Sequence, residues 1–211
     1  MACAEAAVVI DVLRAFTVAA WCYARGAQDV LLAPTVEAAI IGRADWPSAL
    51  LLKDGSPDER FDLPNAPGIV AATDLSGRTV IQTTGNGTRG AHAVAGASHL
   101  LCASFATAAA TARALREAGS ATVALVVTEG EEDLAFADYL SALLFGDRPE
   151  PATYLARAAR SPAAQELRER SHDPAFPGVH PDDLELCLQV NRFDFALRAE
   201  PAGGLLRLRQ V

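Results

Sequence analysis

The sequence predicts an α/β fold, a three-layer α/β/α arrangement with a mainly parallel sheet and a C-terminal β-hairpin. Short, continuous apolar runs alternate with segments of helical periodicity through the first two thirds of the chain. Strands that are apolar at every position are typical of parallel sheets covered on both faces. The last third departs from this alternation and ends in two strand-like segments around Pro201-Ala-Gly-Gly, which indicates a hairpin.

Local patterns predict the individual elements. Val8-Val9-Ile10 is a short β-branched run and predicts a buried strand, followed by a helix over residues 12–25 that Gly26 ends. Thr35 is a favoured N-cap for the second helix. The other predicted strands are 30–33, 49–52, 79–84, 100–104 and 122–128, with a hairpin of 193–199 and 205–208. The other predicted helices are 36–43, a short one after Pro67, one after the turn at 85–88, and 107–118, 134–145, 151–170 and 182–190.

Composition narrows the possible functions. The 211 residues suit one domain, 1–211, and 51% of them are hydrophobic, which is enough for a sizeable core. A net charge of −8 makes nucleic acid an unfavourable partner, because binding to the phosphate backbone requires clustered Lys and Arg. No apolar run approaches the roughly 20 residues of a membrane-spanning helix, and the N-terminal residues lack a signal-peptide pattern. We therefore expect a cytoplasmic protein.

The four cysteines and four histidines do not indicate a zinc site. None of the cysteines forms a CxxC pair, and the histidines lack metal-ligand spacing. We expect Cys22, Cys102 and Cys187 to be small buried apolar residues.

Polar residues follow three of the predicted strands. Asp11 and Arg14 follow the first strand, Gly85-Asn86-Gly87-Thr88-Arg89 follows strand 79–84, and the acidic run 129–133 follows strand 122–128. Ligands of open α/β sheets bind beyond the carboxyl ends of the strands. If these strands are neighbours, their ends bring carboxylates, a glycine-rich backbone and Arg into one crevice. That combination suits a phosphate group with a hard cation such as Mg²⁺.

Each of these features also has a simpler interpretation. Asp11 is a favourable cap for the following helix, and Arg14 can be a solvated surface residue. Asn86-Gly87 is a common turn dipeptide, and an acidic run such as 129–133 often begins a helix. The residues alone therefore predict an α/β protein with a candidate anion or metal site.

Four segments together resemble the 2-phosphosulfolactate phosphatase family. Residues 9–15, VIDVLRA, are similar to its IDVLRAT motif, and residues 61–67, FDLPNAP, to its FDLGNSP. Residues 77–89, GRTVIQTTGNGTR, resemble GKTIVLTTTNGTRA, and residues 184–194, LELCLQVNRFD, resemble DIEYCLQLNRYD. The four segments occur in the family's order and span residues 8 to about 198.

The resemblance implies hydrolysis of the phosphate ester of a small anionic substrate, with Mg²⁺, on the route to coenzyme M. It implies that Asp11 is a metal ligand or catalytic carboxylate, that Arg14 contacts phosphate or sulfonate, and that Asp138 is a catalytic and metal-binding carboxylate. The residues that it places around the substrate are Asp62, Asn65, Thr84, Asn86, Gly87, Thr88 and Arg89.

Two departures from the family pattern affect the acidic residues. Residues 51–55 replace the family's GERGG, so that its glutamate is missing, and Ala137-Asp138 stands where the family has Glu-Asp. Glu129, Glu131 or Glu132 is expected to supply a substitute carboxylate, with Glu129 taken as a third metal ligand. The alternatives to a phosphatase are a diverged anion-binding homologue and a purely structural α/β subunit. The apolar C-terminal hairpin suggests a homodimer.

Overall fold

The fold is a mixed α/β sandwich, as predicted. The structure is a computed structural model in which residues 4–211 are described. Within these described residues, nine strands form one sheet with helices on both faces. The strands are β1 (Ala6–Ile10), β2 (Asp29–Ala33), β3 (Leu50–Lys53), β4 (Leu63–Pro64), β5 (Thr79–Thr83), β6 (His99–Ala103), β7 (Val123–Val127), β8 (Leu197–Ala202) and β9 (Leu205–Gln210).

The helices lie close to their predicted positions, with two differences. They are α1 (Ala15–Ala24), α2 (Val36–Gly42), α3 (Pro67–Ala71), α4 (Gly87–Ala93), α5 (Ala108–Ala118), α6 (Gly130–Leu144), α7 (Pro151–Ala158), α8 (Pro162–Arg170) and α9 (Asp183–Cys187). Helix α6 begins four residues earlier than predicted, and the predicted helix 151–170 is two helices. Ser161 starts the second of these by accepting a hydrogen bond from the Ala164 N–H at 3.1 Å. Within residues 4–211 no helix has the length and apolarity that crossing a membrane requires.

The C-terminal hairpin lies inside the sheet. The strand order is β4-β3-β5-β2-β9-β8-β6-β1-β7, so that the antiparallel pair β8–β9 joins two groups of parallel strands. Leu208 pairs with Val30 of β2, and Leu197 pairs with Cys102 of β6. The apolar side chains of the hairpin are therefore covered within one chain, and its composition no longer argues for a homodimer.

Helices cover both faces of the sheet. Helices α1, α3 and α4 cover one face and bridge the two groups of strands, and α5 and α6 cover β6, β1 and β7 on the other. Helix α2 covers β2, β5 and β3 on that second face. Cys22, Cys102 and Cys187 are buried and free, as predicted, whereas Cys3 lies outside the described residues.

Helix α4 brings distant strands together. Of the three strands whose ends were considered, β1 and β7 are neighbours, whereas β5 is not a neighbour of β1. Instead α4, which follows β5, contacts β1 directly. A Cβ placed on Gly90 would lie 3.1 Å from Val9 Cγ1 and 2.9 Å from Thr128 Cγ2. The absence of a side chain at this position allows the close approach.

Candidate active site

Asp11 lies buried at the end of β1, where its carboxylate faces α4. Only 7% of the residue is exposed, and its Oδ1 accepts a hydrogen bond from the Ala15 N–H at 2.8 Å. Burial raises the pKa of this carboxyl, and the nearby charges of Asp54 and Glu132 raise the pKa further. Asp11 thus accepts the first N–H of α1, as a cap would, but the N-cap residue of α1 is Arg14 and not Asp11 as one interpretation had it. Asp11 also places a buried acid at the rim of the sheet.

Gly87 is the residue of α4 that meets Asp11. A Cβ at this position would lie 2.6 Å from Asp11 Oδ2 and 2.7 Å from the Ala15 Cβ. The Gly87 backbone N–H also lies toward the carboxylate and opposes the rise in its pKa. The segments around 11 and 87 therefore form one site, and glycine is required at 87 for steric reasons.

The backbone of residues 84–88 is held by protein groups. The Thr84 N–H donates to Thr88 Oγ1 at 2.9 Å, and the Thr88 N–H donates to Thr84 Oγ1 at 3.1 Å. The Gly85 N–H donates to the Asp54 carboxylate at 2.9 Å. The sequence analysis expected three residues of this loop, Thr84, Gly87 and Thr88, to contact the anion. In the structure, the hydrogen bonds between Thr84 and Thr88 hold the loop in place, and Gly87 packs against Asp11.

Asn86 and Glu129 connect the loop to the end of β7. Both side chains are exposed, and the Asn86 amide donates to the Glu129 carboxylate. Glu129 therefore stands at the same rim as Asp11, across α4. Arg89 is also exposed, and no ion pair to it exists within residues 4–211.

Asp133 is a site residue that the sequence analysis did not single out. It is 2% exposed, and its Oδ1 accepts a hydrogen bond from the Val12 N–H at 2.7 Å. Its Oδ2 accepts hydrogen bonds from the Thr128 hydroxyl and the Glu129 N–H. Burial, followed by the charge of Asp11, raises the pKa of Asp133. Asp133 therefore connects the end of β1 to the start of α6, beside Asp11.

Asp138 does not join this group. Its side chain is 52% exposed and pairs with Arg157 Nη1 at 2.5 Å, and Glu131 pairs with the same arginine. The structure therefore places Asp138 in a surface ion pair and does not bring it to Asp11. The family motif identified the helix correctly, but the buried carboxylate comes from Asp133, five residues earlier.

Glu132 is a second buried acid at this rim. It is 3% exposed, and its Oε2 atom is buried without a hydrogen-bond partner in the described part of the chain. Burial raises the pKa of Glu132, whereas a hydrogen bond from Ser161 lowers it. Of the three glutamates expected to supply a substitute carboxylate, Glu132 is the one with a buried oxygen atom that lacks a hydrogen-bond partner in the described residues.

Arg14 is held by an aspartate that the sequence analysis missed. Its Nη1 donates to Asp183 Oδ2 at 2.5 Å and to the Gly178 carbonyl at 3.0 Å. Asp183 is fully buried and also accepts hydrogen bonds from the N–H groups of Gly68 and His180. Arg14 is therefore a fixed, largely buried cation. The sequence signal for Asp183 is that it matches the first Asp of the C-terminal motif DIEYCLQLNRYD, directly before residues 184–194.

Asp62 and Asn65 have different structural roles near the site. The Asp62 carboxylate binds Arg43 and accepts the Leu51 N–H at 2.8 Å, at the start of β3, so it anchors this segment rather than lining the rim. Asn65 is buried and accepts a hydrogen bond from Gln82, which also donates to the Ala15 carbonyl at 2.8 Å. Asn65 thus helps to shape the backbone that follows Asp11.

Comparison with known proteins identifies the family. The model of the 2-phosphosulpholactate phosphatase family matches residues 2–200 of this chain. The chain belongs to this family. A Bacillus subtilis protein named as a probable 2-phosphosulfolactate phosphatase is 28% identical over 217 residues, which cover 100% of this chain and 94% of that protein. A Thermus thermophilus protein of the same name is 36% identical over 199 residues, covering 88% of this chain and 84% of its own length.

Because the chain belongs to the 2-phosphosulpholactate phosphatase family, it is a phosphatase, and the family implies a small phosphorylated substrate. The departure at residue 137 then acquires a structural meaning. Ala137 is buried on α6, one helical turn after Asp133 and on the same face. Asp133 thus supplies a buried carboxylate on the helix face from which the family's glutamate is missing.

Proposed function

We propose that this protein is a Mg²⁺-dependent phosphatase that hydrolyses the phosphate ester of 2-phosphosulfolactate or of a related small phosphorylated acid. The observation that carries the proposal is the buried Asp11 carboxylate, held against Gly87 at a rim that Asp133 and Glu132 share, while Arg14 and Glu132 line one cleft. Two members of the family with the same proposed substrate in their names match most of the chain.

The acidic residues at the rim suit a magnesium ion. No group of three or more His, Cys, Asp or Glu side chains within residues 4–211 forms a ready cage of ligands. Mg²⁺ needs only one or two carboxylates, however, since it keeps several of its waters. Asp11 and Glu132 would hold the ion, because both are buried, each has a raised pKa, and Glu132 Oε2 has no protein partner. Glu129 would provide an exposed carboxylate at the same rim.

The residues of the chain have distinct roles in this proposal. When bound, Mg²⁺ would neutralise phosphate oxygens and make a bound water more acidic. Asp11 would be one of the residues that hold the ion, and the Gly87 N–H faces its carboxylate. Arg14 supplies a permanent positive charge, and Asp183 keeps its guanidinium in place. Positioned charges of this kind stabilise the transition state of phosphoryl transfer.

Measurement of phosphate release tests the proposal. The purified chain is given 2-phosphosulfolactate, 2-phospholactate and 3-phosphoglycerate, each with Mg²⁺ and each with EDTA. We expect release from at least one ester that depends on Mg²⁺ and stops with EDTA. Binding of an ester without any release, with Mg²⁺ or Mn²⁺, would instead indicate the anion-binding homologue. A role on the route to coenzyme M stays a prediction that requires 2-phosphosulfolactate to be the preferred ester.

A further inference from the structure

A cleft opens beside Arg14 and is lined by both acidic and basic side chains. It has a volume of about 680 Å³, and its charged lining residues are Arg14, Arg170, Glu129, Glu131, Glu132 and Glu166. A second cavity of about 250 Å³ continues from it and is lined by Arg14, Arg170 and Gly178. Arg14 and Arg170 are thus common to both spaces and form the basic end of one continuous cleft.

Arg14 has hydrogen-bonding capacity left for a ligand. Within residues 4–211, its hydrogen bonds to Asp183 and Gly178 both come from Nη1. A guanidinium has five N–H donors. The Nε and Nη2 atoms of Arg14 are not among the buried atoms that lack a hydrogen-bond partner, so they remain accessible. The side chain is 12% exposed, so these donors have a restricted opening to the cleft.

Arg170 is held in place by weak contacts. Its guanidinium lies over the Phe176 ring, 4.7 Å from the ring centroid. Its ion pair is with Glu166, one helical turn earlier on α8, and both side chains are about half exposed. Exposed pairs of this kind contribute at most about 1 kcal/mol. The aromatic contact therefore orients Arg170, while an anion in the cleft can compete with Glu166.

We propose that Arg170 binds the second acidic group, a carboxylate or sulfonate, of a phosphorylated acid, with Arg14 between that group and the phosphate. This inference rests on the proposed function and adds the part of the site that selects acids over neutral esters. Glu129, Glu131 and Glu132, which also line the cleft, repel a free acidic group, so this group is placed beside Arg14 and Arg170, where it takes the place of Glu166 as the partner of Arg170.

Two matched esters test the role of Arg170. 2-Phospholactate carries a carboxylate where isopropyl phosphate carries a methyl group. We expect Arg170→Gln to raise the KM for 2-phospholactate by about 10- to 100-fold, as for loss of one charge-assisted hydrogen bond, with little change in kcat. The kcat/KM for isopropyl phosphate should change less than about twofold. Arg168→Gln is the control, because Arg168 lies in the last turn of α8 but outside the cleft.

Binding measured by calorimetry separates this inference from the proposed function. If the chain releases no phosphate from any ester, the proposed function fails, but the affinity for 2-phospholactate can still be compared among wild type, Arg170→Gln and Arg168→Gln. A loss of affinity in Arg170→Gln alone supports the subsite. Equal affinity in all three proteins, or an equal loss of activity on both esters in Arg170→Gln, would overturn it.

Discussion

Burial of the Asp11 carboxylate lowers the stability of the folded protein when this group is charged. Its pKa is raised by burial, so the folded protein holds the neutral acid more firmly than the unfolded chain does. The contribution of this group to stability is therefore greatest below the unfolded pKa of about 4 and is lost as the pH rises through the folded pKa. Retention of such a group is typical of functional sites.

Replacement of Asp11 by Asn tests this electrostatic cost. In metal-free buffer we expect Asp11→Asn to have a higher free energy of unfolding than the wild type at pH 8, because the buried charge is removed and the amide oxygen can still accept from Ala15. The difference should shrink toward pH 4. Urea denaturation at several pH values measures it, and a variant that is equally destabilised at every pH would contradict the assigned burial effect.

Gly87 offers a steric test at the same site. In Gly87→Ala the new Cβ would lie 2.6 Å from Asp11 Oδ2, so the carboxylate must move. We expect a loss of about 1–3 kcal/mol in stability, as for other overpacked sites, and a loss of at least about tenfold in kcat. Gly85→Ala is the matched control, because its nearest neighbour is Asp54 Oδ2 at 3.8 Å. Equal activity in the two variants would argue against the close contact.

At the scale of the elements, α6 determines which acidic residues reach the site. The predicted helix began at residue 134, after the acidic run 129–133, although one interpretation had this run begin a helix. That interpretation is confirmed, because α6 begins at Gly130 and carries Glu131, Glu132 and Asp133 in its first turn. Acidic side chains are favoured there by the helix dipole. Sequence periodicity could not identify Asp133 as buried, because the Val12 N–H that it accepts, just after β1, lies 121 residues away in the sequence.

The two aspartates of α6 should differ sharply on mutation. Asp133→Ala leaves the N–H of Val12 and the groups at 128 and 129 without their acceptor, so we expect a loss of about 2–5 kcal/mol in stability. Asp138→Ala removes only an exposed ion pair and should cost less than about 1 kcal/mol. Urea denaturation of both variants measures the difference. A similar small effect in both would mean that Asp133 does not connect β1 to α6.

At the scale of the whole molecule, the hairpin is a central part of the sheet. Local patterns predicted β8 and β9, because alternating apolar residues flank a Pro-Ala-Gly-Gly turn. They could not predict insertion between β2 and β6, since that pairing joins residues far apart in the sequence. The two-residue strand β4 was missed for a related reason: Leu63-Pro64 is too short for a pattern, and only its pairing with β3 defines it.

Substitution within β9 tests this central position. Leu208 is fully buried against both β2 and β8, so Leu208→Ala should lose about 2–5 kcal/mol in stability. Gln210→Ala, at the exposed end of the same strand, should have little effect. Thermal unfolding followed by circular dichroism compares the two. A hairpin that folded as an appendage would leave the transition of the rest of the protein unchanged in both variants.

The most direct test of the central claim is the Mg²⁺-dependent release of phosphate by wild type, Asp11→Asn and Asp138→Asn, measured on the same ester. The arrangement of the site predicts that Asp11→Asn loses at least about 100-fold in kcat, since the carboxylate at its centre is removed, whereas Asp138→Asn stays within about twofold of wild type. Equal activity of Asp11→Asn and wild type, or a selective loss in Asp138→Asn, would contradict the assignment of the active site to the rim formed by Asp11 and Gly87.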